Sequence, residues 1–307
     1  MADVLITGGS GFIGSNLALE LRHRGHLVTT CDLLSKEDER SIRCDVSEFR
    51  QVERLFEDHD FEHVFHAAAE YGRWNGEAYY ENLWLTNAVG TRNILEMQKK
   101  KRFRMMFFGS AEVYGDYEGV MSEDVMEKIP IRQMNDYAIT KWVNELQIRN
   151  FANMFNTETL IFRLFNVYGP GEHYTSYRGV VPVFIYKALH NQPYTVYKGH
   201  KRTFEYVGDI CRTLGNMIDN FKPGEVYNLG SEKQYEIEEV SAQILKALGR
   251  DDSLVTYKEG EAFTTRYKIA DSSKAKRDLN HRITVPLEQG IRRTVKWFKQ
   301  QYSNRGL

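Results

Sequence analysis

Short apolar runs alternate with amphipathic stretches through the first half of the chain. Val4–Thr7 is a short apolar run, which predicts a buried strand, and Gly14–His23 spaces its leucines among polar residues as a helix does. The same pattern predicts strands at His26–Cys31, His63–Ala68, Arg104–Phe108 and Thr157–Arg163, and helices at Phe49–Glu57, Thr86–Lys99 and Asp136–Asn153. Strands that alternate with helices predict βαβ units, hence an α/β fold with a doubly wound parallel sheet.

The pattern changes after Gly169-Pro170-Gly171. A tyrosine-rich loop precedes a predicted helix at Val180–Leu189. Further strands are predicted near Tyr194–Tyr197, Thr203–Val207 and Glu225–Leu229, and further helices from Asp209, Ile237 and Leu287. We expect a main domain at residues 1–167 with about 205–228, and a smaller, interleaved C-terminal lobe at 168–204 and 229–307.

Composition limits the possible partners. The chain has 307 residues, 42% of them hydrophobic, with 41 Lys and Arg against 42 Asp and Glu. This balance argues against nucleic-acid binding, and no apolar run is long enough for a membrane span. No basic segment followed by a long apolar one opens the sequence, so no signal peptide is expected. Cys31, Cys44 and Cys211 lack CxxC spacing, which predicts buried thiols without disulfide or metal in a cytoplasmic protein.

A glycine-rich turn follows the first predicted strand. Gly8, Gly11 and Gly14 allow a tight turn, close approach to a pyrophosphate, and packing of the next helix on the strand. The following residues, Phe12 and Ile13, open that helix, whose free N–H groups favour phosphate. An ordinary glycine-rich turn is the alternative. The position between strand and helix favours a Rossmann-type dinucleotide site.

Asp32 ends the second predicted strand, roughly 20 residues after the turn, where a carboxylate binds the adenosine ribose. A carboxylate there repels a 2′-phosphate. No Arg follows in Leu33–Ser35, although Lys36 is near, so NAD is favoured over NADP.

Tyr137 and Lys141 are four residues apart on a predicted helix and share one face. A phenol has a pKa of about 10, and a neighbouring ammonium favours the phenolate. The pair is therefore a candidate base for an alcohol. The spacing also occurs by chance on helix surfaces.

Together these residues resemble the extended short-chain dehydrogenase/reductase family, and within it the NAD-dependent sugar-nucleotide epimerases and dehydratases. The resemblance runs from Val4 to about Phe298. The additional matching segments are Cys44-Asp45-Val46, His66-Ala67-Ala68-Ala69, Asn87-Ala88-Val89-Gly90-Thr91, Ser110 before Val113-Tyr114-Gly115, and Arg163 to Gly171.

The resemblance implies a cofactor site and a chemistry. NAD would contact Asp45, Val46, Ala67, Ala68 and Asn87 besides the glycine turn, Asp32, Tyr137 and Lys141. Tyr137 would take the proton of a sugar hydroxyl, usually at C4, as hydride passes to NAD. Lys141 would lower the pKa of that tyrosine, and Ser110 would hydrogen-bond the reacting oxygen. The smaller lobe would bind a nucleoside-diphosphate sugar.

A 4-keto sugar has three further routes: 4,6-dehydration, 4-epimerisation and loss of a C6 carboxylate as CO2. Glu112 resembles the Glu of family dehydratases and decarboxylases, and a carboxylate there suits movement of the C5 proton. Ala111 departs from the dTDP-glucose dehydratases, which carry Asp. We expect a 4,6-dehydratase, with 4-epimerase, decarboxylase and net dehydrogenase as alternatives in that order. A cap on a local turn is the structural alternative for Glu112.

Substrate contacts are also implied by the resemblance. Arg202, in Arg202-Thr203-Phe204, would grip the diphosphate, as would Arg266, and Asn166 would touch the same group. Val181 would lie beside the nucleotide base. Glu70 and Arg73 follow the carboxyl end of a predicted strand. The stretch from Tyr71 to Gly76, which does not match the family, is therefore expected to line the sugar site.

The family resemblance implies a homodimer in which the helices at Thr86–Lys99 and Asp136–Asn153 pair with their copies. A cofactor-sensing regulator on the same fold is a non-enzymatic alternative. Retention of Tyr137 and Lys141 argues against it.

Overall fold

The computed structural model describes residues 1–34, 38–261 and 264–302. The strands are β1 (Asp3–Thr7), β2 (Leu27–Asp32), β3 (Ser41–Arg43), β4 (His63–His66), β5 (Arg104–Ser110), β6 (Val120–Met121), β7 (Thr159–Leu164), β8 (Val167–Tyr168), β9 (Tyr194–Lys198), β10 (Lys201–Thr203), β11 (Glu205–Tyr206), β12 (Val226–Leu229), β13 (Gln234–Glu236), β14 (Val255–Glu259) and β15 (Ile269–Ala270).

Helices connect most of these strands. They are α1 (Phe12–His23), α2 (Phe49–Asp58), α3 (Arg73–Ala78), α4 (Tyr80–Trp84), α5 (Gly90–Lys101), α6 (Val125–Lys128), α7 (Asp136–Phe155), α8 (Val180–Leu189), α9 (Val207–Asp219), α10 (Ile237–Leu248), α11 (Ser273–Leu279) and α12 (Leu287–Tyr302). A π-helical turn, Leu85–Val89, precedes α5, and a 3-10 turn, Ala111–Tyr114, follows β5.

The central sheet has seven parallel strands in the order β12-β7-β5-β4-β1-β2-β3. β1 pairs with β2 on one side and with β4 on the other, so Thr7 lies beside both Cys31 and His66. The chain order reverses between β1 and β4. In such sheets ligands bind in the crevice outside the carboxyl ends of the strands at that reversal. The expectation of a doubly wound Rossmann-type sheet is confirmed.

Apolar clusters cover both faces of the sheet. On one face α1 and α9 pack side chains such as Leu17 and Leu214 against the strands, and on the other α2, α5 and α7 pack Phe56, Ile94 and Phe151. All five side chains are buried. Burying a side chain of this size contributes about 1.5–3 kcal/mol, so these faces hold the sheet between two helical layers.

A third apolar cluster belongs to the C-terminal half. It joins α8, β9, α10 and α12, with Phe184, Val196, Ile244 and Phe298 at its centre. In contrast, α9 and β12 return to the main sheet. Successive segments of the C-terminal half therefore pack either in this third cluster or on the central sheet.

Two regions differ from the predicted elements. The helix expected at Thr86–Lys99 begins with the π-helical turn, in which Asn87 is buried and donates hydrogen bonds to the Glu70 carbonyl and Thr140 Oγ1. The widened turn accommodates this polar contact. The strand expected at Thr203–Val207 is split between β10 and β11.

No helix in the described part of the chain combines the length and apolar character needed to cross a membrane. The three cysteines are buried thiols.

Candidate functional site

One cavity of about 900 Å³ lies at the carboxyl ends of the central strands and continues towards the C-terminal cluster. It brings together residues from distant parts of the sequence. Of the predicted site residues, it is lined by Gly8, Gly11, Phe12, Ile13, Gly14, Asp32, Asp45, Val46, Ala67, Ala68, Glu70, Arg73, Ser110, Glu112, Tyr137, Lys141, Asn166, Val181 and Arg202.

The glycine turn forms a backbone cradle at one end of this cavity. Gly8 has a φ of 70°, and a Cβ there would lie 2.7 Å from the backbone nitrogen of Ala68. Gly11 precedes α1 and supplies no side chain to cap its first N–H groups. Uncapped N–H groups at a helix start suit a pyrophosphate, so this end of the cavity fits a dinucleotide.

Asp32 connects the cradle to the end of β2. Its Oδ2 accepts a hydrogen bond from the Ser10 backbone nitrogen at 2.9 Å, and its Oδ1 accepts one from the Leu33 nitrogen at 2.8 Å. The carboxylate thus faces the cavity in a fixed orientation, as contact with ribose hydroxyls requires. Ser35 and Lys36 lie outside the described residues.

The segment after β3 also lines this end of the cavity. Asp45 Oδ1 accepts hydrogen bonds from the backbone nitrogen and hydroxyl of Ser47, at 2.9 and 2.7 Å. Val46 lines the cavity and lies so close to Gly90 that a Cβ there would be 2.8 Å from Val46 Cγ2.

The end of β4 is fixed by a chain of buried hydrogen bonds. Thr7 Oγ1 accepts from the Ala68 nitrogen at 3.1 Å and lies 2.7 Å from His66 Nδ1. Burial, with a smaller effect of Lys141, lowers the pKa of His66 to about 3. His66 is therefore a neutral structural histidine. Asn87 does not line the cavity and instead holds the Glu70 carbonyl.

Ser110, Tyr137 and Lys141 all line the cavity. Tyr137 and Lys141 lie on one face of α7, where Asn135 caps the helix by accepting from the Ala138 nitrogen at 2.9 Å. Lys141 Nζ lies 5.9 Å from the Tyr137 ring centroid and donates to the Phe108 carbonyl at 2.9 Å. Strand β5 ends at Ser110, which brings its hydroxyl to the phenol.

The pKa values correct one expectation. Burial raises the pKa of Tyr137 to about 12, and the charge of Glu112 adds to this rise while the Ser110 hydrogen bond opposes it. Burial also lowers the pKa of Lys141 to about 8, against the effect of Glu145. Both side chains are desolvated, and the Lys141 ammonium is hydrogen-bonded to a carbonyl. Lys141 alone therefore does not bring the pKa of the Tyr137 phenol near neutrality.

Glu112 faces the cavity from the 3-10 turn. Its backbone nitrogen donates to Ser110 Oγ at 3.2 Å, and its Oε1 forms an ion pair with Lys268 Nζ. Burial opposes the charge on Glu112, but Lys268, Arg202 and Arg73 outweigh it and hold the pKa below its usual value. The carboxylate is thus held in its ionised form, and its charge acts on Tyr137.

The predicted diphosphate residues have different placements. Arg202 is buried, and its Nη atoms donate to the carbonyls of Lys201, Thr265 and Arg266 and to Thr264 Oγ1, at 2.5 to 3.0 Å. Asn166 Nδ2 donates to the Thr203 carbonyl at 3.0 Å. Val181 is buried on α8.

The expectation for Arg266 requires correction. Its side chain is exposed and is not among the residues that line the cavity. Its carbonyl oxygen instead orients Arg202. The side chain that enters the cavity from this segment is Lys268, which sequence reasoning missed. Tyr267 forms a bridge with Lys201, and this pairing sets which neighbours face inward.

The unmatched stretch after Glu70 forms the short helix α3. Glu70 Oε2 accepts from Asn75 Nδ2 at 2.7 Å, and Arg73 Nη2 forms an ion pair with Glu261 Oε1 at 2.6 Å. A Cβ placed on Gly76 would lie 3.7 Å from the Tyr137 Cβ, so this part of the stretch packs against α7. The stretch therefore links α7 with the C-terminal half at the cavity.

Two further lining residues were not predicted from the sequence. Glu172 is only 5% exposed, and within the described chain its Oε2 lacks a hydrogen-bond partner. Burial raises its pKa to about 8, although Arg178 opposes this. The Arg178 guanidinium stacks 4.0 Å from the Tyr71 ring centroid. A Glu next to a glycine turn carries no sequence signal for burial.

Comparisons with known proteins agree with this site. The model of the NAD dependent epimerase/dehydratase family matches residues 4–230. A UDP-N-acetyl-alpha-D-glucosaminuronate decarboxylase of Bacillus cytotoxicus is 33% identical, covering 96% of this chain and 97% of the relative. A dTDP-glucose 4,6-dehydratase of Xanthomonas campestris is 27% identical, covering 97% of this chain and 93% of the relative.

A solved structure supports the same relationship. The UDP-glucose 4-epimerase of Thermotoga maritima, solved with UDP-glucose, has a TM-score of 0.87 and 26% identity, covering 97% of this chain and 99% of its own. The chain therefore belongs to the NAD-dependent epimerase/dehydratase family and is an NAD-dependent enzyme of sugar-nucleotide chemistry.

Proposed function

We propose that the enzyme is a sugar-nucleotide 4,6-dehydratase that works through a 4-keto intermediate. The observation that carries this proposal is the ionised Glu112 carboxylate, paired with Lys268 beside Ser110 and Tyr137. Of the three routes from a 4-ketone, dehydration is the one that requires a base at C5.

The cofactor end of the cavity would hold NAD through the cradle, Asp32 and the segment at Asp45 and Val46. NAD supplies a hydride acceptor that also carries positive charge when oxidised. An added positive charge near the phenol lowers the pKa of Tyr137 and so favours the phenolate. We propose that residues 1–167 and about 205–228 hold the cofactor, and that 168–204 and 229–307 hold the sugar nucleotide.

The first step is proton removal from the C4 hydroxyl. Tyr137 takes this proton, and Ser110 donates a hydrogen bond to the oxygen. Lys141 would bind the ribose of NAD, and its positive charge acts on the phenol. The C4 hydride would pass to bound NAD, and the resulting 4-ketone acidifies the C5–H bond. Glu112 then removes the C5 proton because its carboxylate is ionised and extends from the turn that follows Ser110.

The substrate end carries a buried cation that suits a diphosphate. Arg202 is buried, and protein acceptors take its four Nη hydrogens, so its guanidinium is fixed in position and would act on a diphosphate mainly through its positive charge. Asn166, Val181, Glu70 and Arg73 line the same cavity. We propose a nucleoside-diphosphate hexose as substrate, in line with the UDP-glucose bound by the structural relative.

Decarboxylation of a uronic acid is a second candidate. Lys268, Arg202 and Arg73 place three cations around Glu112, and such a cluster also suits a C6 carboxylate. The relative from Bacillus cytotoxicus is a decarboxylase of a UDP-uronate. In this case the lysine would bind the carboxylate, and Glu112 would act after CO2 has left.

The test is incubation with UDP-, dTDP-, GDP- and CDP-hexoses and UDP-uronates, followed by mass spectrometry and proton NMR. Loss of one water from a hexose supports the dehydratase, and loss of CO2 from a uronate supports the second candidate. Unchanged mass with an inverted C4 centre would show an epimerase and contradict both. Steady release of reduced cofactor would show a net dehydrogenase.

Variants connect the product with the site. We expect Tyr137→Phe to lower reduced-cofactor formation by about 10²–10⁴-fold, because proton transfer is lost. Tyr257→Phe is the matched control, since that tyrosine is exposed on β14. Glu112→Gln should still form reduced cofactor but should not exchange the C5 hydrogen with solvent deuterium.

A further inference from the structure

Lys268 is a buried charged residue to which the dehydration steps above assign no role. Its side chain is 6% exposed, and its Nζ forms the ion pair with Glu112 Oε1. The residue enters from the segment before β15, so the contact joins the C-terminal half to the turn after β5. Both partners line the cavity.

The surroundings make this ammonium a better acid than an exposed lysine. Burial lowers the pKa of Lys268, and although Glu112 opposes this, the neighbouring Arg202 and Arg73 add to the lowering. A lysine whose pKa moves towards neutrality gives up its proton more readily. The carboxylate of Glu112 is at the same time held in its basic form.

Dehydration needs an acid as well as a base, because a C6 hydroxyl leaves poorly unless it takes up a proton. Ala111, between Ser110 and Glu112, is buried and has no proton to give. Lys268 contacts the carboxylate that would act at C5, and the backbone nitrogen of that same residue, Glu112, donates to Ser110 Oγ.

We propose that Lys268 is a catalytic acid that gives the proton to the departing C6 oxygen. This proposal rests on the dehydratase function proposed above. Glu112 takes the C5 proton, the C5–H electrons form the C5=C6 bond, and the C6–O bond breaks. The hydroxyl leaves as water with the proton from Lys268 Nζ.

The remaining steps balance without an outside oxidant or acid. The hydride removed from C4 adds to C6, and Glu112 returns a proton to C5. Tyr137 has gained one proton from the C4 hydroxyl, and Lys268 has lost one proton to the departing water. Proton exchange with solvent therefore returns both side chains to their starting protonation states. The net reaction is loss of one water.

A role limited to holding Glu112 makes different predictions, and Lys268→Arg separates them. An arginine keeps the positive charge and an ion pair with Glu112, but its pKa above 12 makes it a poor acid. The holoenzyme variant should therefore form reduced cofactor and exchange the C5 hydrogen. Its water loss should fall by about 100-fold or more.

A second substrate tests the acid directly. In the 6-deoxy-6-fluoro analogues of UDP-glucose and dTDP-glucose, the leaving group departs as fluoride and needs less help from a proton. We expect Lys268→Arg to release fluoride at close to the wild-type rate while failing to release water from the 6-hydroxy sugars. Lys258→Arg, at an exposed position on β14, is the matched control.

Two outcomes would overturn the proposal for Lys268 and leave the dehydratase function intact. One is water loss by Lys268→Arg at a rate within about tenfold of the wild type. The other is a decrease in fluoride release by this variant that is as large as its decrease in water release. Absence of dehydration by the wild-type enzyme with any of the hexose donors would overturn the proposed function, and this proposal with it.

Discussion

Gly14 and Gly8 are in backbone contact: a Cβ placed on Gly14 would lie 2.3 Å from the Gly8 carbonyl oxygen. No side chain fits at that distance without moving the turn. The first turn of α1 therefore packs directly on the loop that would cradle the cofactor pyrophosphate.

We expect Gly14→Ala to lower the affinity for NAD by tenfold or more, about 1.4 kcal/mol, because the displaced turn misaligns the N–H groups. Isothermal titration with NAD measures this. Gly179→Ala is the control, since a Cβ there meets nothing within 4 Å. Equal NAD affinity of the Gly14 variant and the wild type would contradict the cradle.

A buried ion pair supports the sheet beneath the site. Arg163 on β7 and Glu145 on α7 are both fully buried, with Nε–Oε1 and Nη2–Oε2 distances of 2.9 and 2.7 Å. Glu145→Ala should lower the free energy of unfolding by about 3–5 kcal/mol, because it leaves a buried guanidinium uncompensated. Urea denaturation measures the loss.

The control for that experiment is Glu96→Ala, which breaks an exposed pair with Arg92 on α5. Such pairs contribute about 0–1 kcal/mol. A similar loss in both variants would argue against a special role for the buried pair.

Glu172 should make stability depend on pH. Burial raises its pKa to about 8, whereas an unfolded Glu has a pKa of about 4.3. Between these values the folded protein keeps a proton that the unfolded chain has lost, so stability falls as pH rises through this window. Glu172→Gln removes this dependence and should gain stability over the wild type from pH about 5 to about 8.

Urea denaturation at a fixed NAD concentration tests this prediction at both ends of the window. Glu77→Gln on α3 is an exposed control that should keep the wild-type pH dependence. A Glu172→Gln variant with the same pH dependence as the wild type would contradict the prediction.

The family resemblance predicts a homodimer through the helical face that includes α5 and α7. This face exposes large apolar side chains, which are Leu85, Val89, Ile139, Leu146 and Met154. We expect the wild type to sediment as a dimer and Leu146→Arg to sediment as a monomer, because a charge would be buried in the interface. Leu19→Arg, at an exposed position of α1, should stay dimeric. A monomeric wild type at micromolar concentration would contradict the prediction.

The sequence by itself determined the sheet, the glycine turn and the helix that carries Tyr137 and Lys141. Each of these depends on local rules: apolar periodicity places β1 and α1, glycine permits the turn between them, and the spacing of Tyr137 and Lys141 puts them on one helix face. Gly8, Gly11, Gly14 and Tyr137 therefore line one cavity.

Tertiary structure decided the substrate end and the charges. Arg266 and Lys268 are two residues apart, and only the bridge from Tyr267 to Lys201 and the packing of that segment expose one and bury the other. The pKa of Glu172, the pairing of Glu112 and the raised pKa of Tyr137 also depend on burial and on neighbours far along the chain. Desolvation and charge act through space, so no local pattern in the sequence records them.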